Sequence, residues 1–132
     1  MAWHGIHHLG IAVENLDEAV STYERLFGAE LEGRDEGEGL RAANVLVGDA
    51  RIELLEPQSA DTPIGKFLAS RGPGMHHVAY AVDDIDAELE ALRADGAQLI
   101  DERPRPGLFG HTIAFAHPDA VHGVLTELVA HG

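Results

Sequence analysis

Apolar and polar residues alternate strongly enough from Gly5 to Val13 to predict a strand. Asn15, with Glu18 three residues on, is the capping signal of a helix that runs to Phe27 and stops at Gly28. The stretch "AELEGRDEGEG" breaks the apolar pattern, predicting a short strand and then a mobile loop past Glu32. Alternation returns in "LRAANVLVGDARIELLEP", a hairpin turning at Gly48 and Asp49. Thr62 and Pro63 then open a short helix that reaches about Ser70, before "RGPG" interrupts it.

From this point the pattern restarts. Met75 to Val82 predicts a strand, Asp84 caps a helix to about Asp95, and Gly96 closes it. "AQLIDE" follows as a strand, "RPRPGLFG" as a loop, and "HTIAFAHP" and "VHGVLTELVA" as two further strands. Setting His8 on His77 also sets Leu9 on Val78, Val13 on Val82, Leu16 on Ile85 and Asp17 on Asp86. After a slip of one residue, Gly28 meets Gly96. The expected fold is therefore α+β, two paired βαβββ modules produced by duplication, the first at about 1–72 and the second at about 73–132. A chain of 132 residues suits one domain in which the modules share a core.

Composition narrows the function. The formal charge of −14, from 23 acidic against 9 basic residues, excludes the basic footprint that nucleic acid requires. Acidic chains with a single lysine, here Lys66, resemble proteins of high-salt cytoplasm, where screening mutes self-repulsion. No apolar run approaches the roughly 20 residues of a membrane span, and the N-terminal residues have no export pattern, so a cytoplasmic protein is expected. With no cysteine in the chain, a metal must be held by histidine and carboxylate.

Duplication directs the search for such ligands. "RIELL" sets Glu53 between two apolar residues, and "LTELV" sets Glu127 in the equivalent final strand of the second module. A carboxylate inside an apolar strand is costly unless something pairs with it. Each module also opens on two histidines, whose side chains point to opposite faces of a strand. His8 shares its face with Gly10 and Ala12, and His77 with Ala79 and Ala81, so these two have space beside them. His7 and His76 fall on the other faces and are expected to pack or hydrogen-bond. His8, Glu53, His77 and Glu127 make a mixed nitrogen and oxygen set suited to one divalent ion with two open positions.

The runs "HHLGIAV", "IELLEP", "GMHHVAYAVDDID" and "HPDAVHGVLTEL" resemble the vicinal oxygen chelate superfamily, and within it the methylmalonyl-CoA epimerases, over nearly the whole chain. The resemblance implies an incomplete barrel of the glyoxalase fold, the same four metal ligands and a divalent cofactor, Co2+ in the first place, with Mn2+, Ni2+, Zn2+ or Mg2+ as alternatives. It implies an isomerase of propionate metabolism that interconverts the C2 epimers of an acyl-CoA through a metal-stabilised enolate, working as a homodimer with no nucleic-acid or membrane partner. Some family members carry a catalytic glutamate where this chain has Ala42. Glu127 and Glu53 are accordingly expected to serve as catalytic proton carriers as well as ligands.

Lys66, Arg71, Arg103 and Arg105 are candidates for the CoA phosphates, each as readily a solvated surface charge. "GLFGH" resembles the family's glycine-rich approach to the last hairpin. His111 and His117 near it are read as surface or turn contacts, and His4, His122 and His131 support no role. Two rival readings share the fold: a glyoxalase I acting on a hemithioacetal, and a metal-free protein that sequesters a ligand. The second gives no reason for Glu53 and Glu127. Four ligands disfavour a dioxygenase with two histidines and one carboxylate.

Overall fold

The computed structural model describes residues 2–131; positions 1 and 132, the ends of the expected domain, and the side chain of His131 lie outside that description. The chain divides into two compact units, one of His8–His76 and the other of the residues up to His7 together with those from His77 on. The division falls inside two strands, β1 (Trp3–Ala12) and β5 (Gly74–Val82).

In the first unit β1 leads to α1 (Leu16–Phe27), and then come β2 (Glu30–Gly37), β3 (Leu40–Val47) and β4 (Ala50–Pro57). The strands lie in the order β2-β3-β4-β1, with β1 parallel to β4 and the other neighbours antiparallel. The helix starts as its sequence predicts: Asn15 Oδ1 accepts the Glu18 N–H at 3.0 Å. It stops where Gly28 takes a left-handed φ of 64°, which costs an L side chain but not glycine. Leu16 and Val20 on the inner face of α1 pack on Ala43, Val45 and Leu54 of the strands. After β4, Thr62 caps α2 (Pro63–Arg71).

The second unit repeats the plan with β5, α3 (Ile85–Ala94), a two-residue β6 (Arg105–Pro106), β7 (His111–Ala116) and β8 (Thr126–His131). Their order is β5-β8-β7-β6, with β5 parallel to β8. Asp84 Oδ1 caps α3 through the Ala87 N–H, and Ile85 and Leu89 pack on Val82, Ala114 and Leu128. Strand, helix and three strands thus occur twice, as the duplicated pattern predicts.

Four assignments differ from expectation. The acidic stretch past Glu32 is not a loop. It continues as β2 to Gly37, pairs with β3, and turns at Glu38 and Gly39. As the outer strand of its unit it buries little, so it carries no apolar alternation, and its charges are met by Arg34–Asp17, Arg41–Glu36 and Arg51–Glu32 ion pairs.

"AQLIDE" is not a strand apart from a single bridge of Leu99 to Ala116. The Ile100 and Asp101 N–H groups both reach Phe115 O, and the Asp101 side chain accepts the Phe115 N–H, so a carboxylate replaces the ladder. The β6 strand lies instead inside the segment expected to be a loop, where Arg105 and Pro106 face Ile113 and Thr112. The last strand begins at Thr126 and not at Val121, because a 3-10 turn over Pro118–Val121 and a left-handed His122 precede it.

Candidate metal centre

Ile52 and Leu54 turn toward the α1 side of β4, and strand alternation puts Glu53 on the other face. There Glu53 stands in register between Gly10 of β1 and Asn44 of β3. Gly10 presents no side chain, which leaves room for His8, two residues earlier on the same face. His8 Nε2 lies 3.6 Å from Glu53 Oε2, with the two residues 2% and 8% exposed. Ala42, on this face beyond Asn44, is fully buried and offers no acid.

Arg51, two residues before Glu53, is held by Glu32 through two bonds of 2.7 and 3.0 Å. Its pKa is raised, chiefly by that hydrogen bond, against burial, with the charges of Glu32 and Glu53 adding to it.

The second unit carries the equivalent pair. His77 Nε2 lies 2.9 Å from Glu127 Oε1, and both residues are 5% exposed. Glu127 stands in register between Ala79 of β5 and Phe115 of β7, as Glu53 does between Gly10 and Asn44. The edge of Phe115 meets the His77 ring at 5.5 Å between centroids. Arg105 stacks on Phe115, and Asp101 holds both: its Oδ1 accepts from Arg105 Nε at 3.1 Å and its Oδ2 from the Phe115 N–H at 2.9 Å. Gly107 approaches so closely that an added Cβ would sit 2.8 Å from Ile113 Cγ2. Asn44, Asp101 and Phe115 carry no role in the pattern of the sequence. Asn44 alone had a signal, a lone amide in the apolar run "AANVLV".

Each unit therefore holds an imidazole nitrogen and a carboxylate oxygen side by side and out of water. A charged carboxylate is expensive there unless a cation compensates it, and this donor set fits a divalent first-row ion. Other described histidines have different neighbours. His7 is buried edge-on to His111 at 4.8 Å, and His76 meets Phe67 at 5.1 Å. His4 pairs with Asp83, His117 Nδ1 accepts the Asp119 N–H in a turn, and His122 is exposed. Lys66, Arg71 and Arg103 are exposed, with Arg71 over the Phe67 ring.

The pattern of the Glyoxalase/Bleomycin resistance protein/Dioxygenase superfamily matches residues 7–115. Methylmalonyl-CoA epimerase of Dictyostelium discoideum, a mitochondrial protein, is 35% identical over 93% of this chain and 76% of its own length. Ethylmalonyl-CoA/methylmalonyl-CoA epimerase of Cereibacter sphaeroides is 34% identical over 93% of this chain and 95% of its own. Among solved structures, a methylmalonyl-CoA epimerase in complex with methylmalonyl-CoA and NH4+ superposes with a TM-score of 0.95 at 37% identity, covering 99% of this chain and 96% of that one. A variant of the Streptomyces coelicolor enzyme in complex with 2-nitronate-propionyl-CoA gives the same TM-score and identity, with 99% of each chain covered. The fold is that of the glyoxalases and their relatives, and the chain belongs to this superfamily and, within it, to the methylmalonyl-CoA epimerases.

Proposed function

We propose that this protein is a divalent-metal-dependent epimerase that interconverts the C2 epimers of methylmalonyl-CoA. The observation that carries the reading is a buried histidine–glutamate pair at the same position of each module, His8 with Glu53 and His77 with Glu127. The similarity to epimerases over nearly the full chain supports the substrate. In this reading the four side chains hold one ion. A divalent ion there supplies Lewis-acid stabilisation for the negative charge that grows on the thioester oxygen as C2 loses its proton.

The chain's own residues carry the proton. Glu127, as the carboxylate, takes the C2 proton from one face and becomes the acid, while Glu53, entering the step as the carboxylic acid with a proton exchanged from solvent between turnovers, delivers it to the opposite face and is left as the carboxylate. The C2–H bond breaks heterolytically, its electron pair delocalises into the thioester, and reprotonation restores the carbon with inverted configuration. With alanine at position 42, no third acid is available from that strand position, so both transfers fall to the ligand carboxylates. These carboxylates are largely buried, and the residues beside them in register, Gly10 and Ala79, are small. Lys66, Arg71, Arg103 and Arg105 are the basic groups assigned to the anionic parts of the acyl-CoA, Arg105 being the one held on Phe115 by Asp101.

The same reading makes residues 1–132 a single domain of two modules, working as a cytoplasmic homodimer in propionate metabolism with Co2+ as first-choice ion. Among the described residues no helix is long and apolar enough to cross a membrane. Deuterium incorporation at C2 of methylmalonyl-CoA in D2O, with and without chelator, tests the function. Exchange that needs the ion and is absent with a glutathione hemithioacetal supports it. Turnover of the hemithioacetal instead would assign a glyoxalase I, and exchange unaffected by complete metal removal would overturn the ion's role.

A further inference from the structure

Asn44 is a buried amide that the four-ligand set leaves unexplained. It is 4% exposed, and its Oδ1 is buried with no hydrogen-bond partner among the described residues. A buried polar atom left so costs about 1–3 kcal/mol, and an apolar residue of similar size would avoid the cost. Its surroundings narrow what the amide is for. Asn44 stands in register with Gly33 on one side and Glu53 on the other. On its own strand the residues sharing its face are Ala42 and Leu46.

Glu53 is thus the one polar side chain among these neighbours. Arg51, diagonally across from Asn44, already spends two donors on Glu32. A carboxylate that gives one oxygen to a cation directs that oxygen best when its other oxygen is held by a donor. A carboxamide supplies one, since half a turn about its last bond exchanges the acceptor and donor ends.

We propose that Asn44 is a positioning residue of the metal centre: its carboxamide donates to the Glu53 oxygen that faces away from a divalent ion and so fixes the direction of the oxygen that faces it. This rests on the reading of Glu53 as a ligand. The geometry that supports it is the direct cross-strand opposition of the two side chains, with glycine on the far side of each, Gly33 beside Asn44 and Gly10 beside Glu53. Neither glycine puts a side chain beside the pair from the flanking strands.

The test titrates Mn2+ alone into the full-length protein by calorimetry, for wild type, Asn44→Leu and Asn44→Thr, with the melting temperature of each metal-free protein measured alongside. Leucine keeps the shape and removes the donor; threonine restores a donor. The expected result is Mn2+ affinity about tenfold or more weaker in the leucine variant, in the range typical of lost outer partners, and recovered in part by threonine. The metal-free leucine variant should melt no lower than wild type, because a buried orphan amide has been removed. Affinity within about threefold of wild type in the leucine variant would overturn the proposal, as would a threonine variant no better than leucine. Wild-type protein that takes up no Mn2+ would remove the ligand set itself, and this inference with it.

Discussion

Asp101 Oδ2 accepts the backbone N–H of Phe115 at 2.9 Å, while Oδ1 of the same carboxylate holds Arg105 Nε at 3.1 Å. One mostly buried side chain thus fixes the ring that abuts His77 and the cation that covers that ring. Asp101→Ala leaves the Phe115 N–H without this acceptor, and a destabilisation of about 1–3 kcal/mol is expected in urea unfolding. Asp101→Asn keeps an acceptor for the N–H and should recover part of that loss. Equal stability of the alanine variant and wild type would mean that water replaces the carboxylate at no cost.

Glu127→Gln keeps the shape of the second-unit pair and removes the carboxylate. C2 deuterium exchange is expected to fall by at least about a hundredfold, the scale of a lost general base. The metal-free melting temperature should not fall, because an amide buried at 5% exposure costs less than a charge there. NMR of the substrate in D2O reads the exchange. Survival of a substantial fraction places the base elsewhere.

Ion binding and stability are linked, because a ligand of the folded state alone stabilises it. At a free ion concentration of one hundred times Kd the gain is about 2.7 kcal/mol, or roughly 10 °C in melting temperature for a domain of this size. Scanning calorimetry with increasing Mn2+, then with excess chelator, should show that rise and its full reversal. A melting temperature indifferent to both would contradict a site that binds the ion in the folded state.

The β2–β3 hairpin turns through Glu38 and Gly39 with φ of 56° and 78°. Two consecutive positive φ values favour Asn-Gly, and glutamate pays for the left-handed conformation at the first position. Glu38→Asn is therefore expected to stabilise the fold by about 0.5–1 kcal/mol, read as a rise of a few degrees in melting temperature. A drop would show that the Glu38 side chain contributes more at this turn than its backbone costs.

The repeated skeleton was legible because its signals are local. Asn15 and Asp84 cap their helices, Gly28 ends the first, and alternation in β1, β4 and β5 marks the buried faces. The histidine and glutamate pairs could be found for a similar reason, since a strand's two faces follow from counting in twos. What escaped depends on distant partners. The outer strand β2 is charged because one of its faces meets solvent, so its pattern resembles a loop until β3 is beside it.

"AQLIDE" fails for the converse reason. It has strand-like residues, yet the two donors of Ile100 and Asp101 share one carbonyl, and the Asp101 side chain takes the place of a backbone acceptor. Asn44 shows the same limit within the site. One amide in an apolar run gains meaning only when the strand register sets it opposite Glu53.

The ion pairs along β2 and around β6 also shape how a substrate arrives. Arg34, Arg41, Arg51, Arg93 and Arg105 are each matched to a nearby acid, so most of the chain's scarce positive charge is cancelled where it stands. The field reaching into solvent is then set by the surplus of fourteen negative charges, and it repels an acyl-CoA, which is itself an anion. Added electrolyte shortens the range of that repulsion, so encounter should quicken as ionic strength rises, the reverse of the trend for enzymes that draw their substrates in by opposite charge.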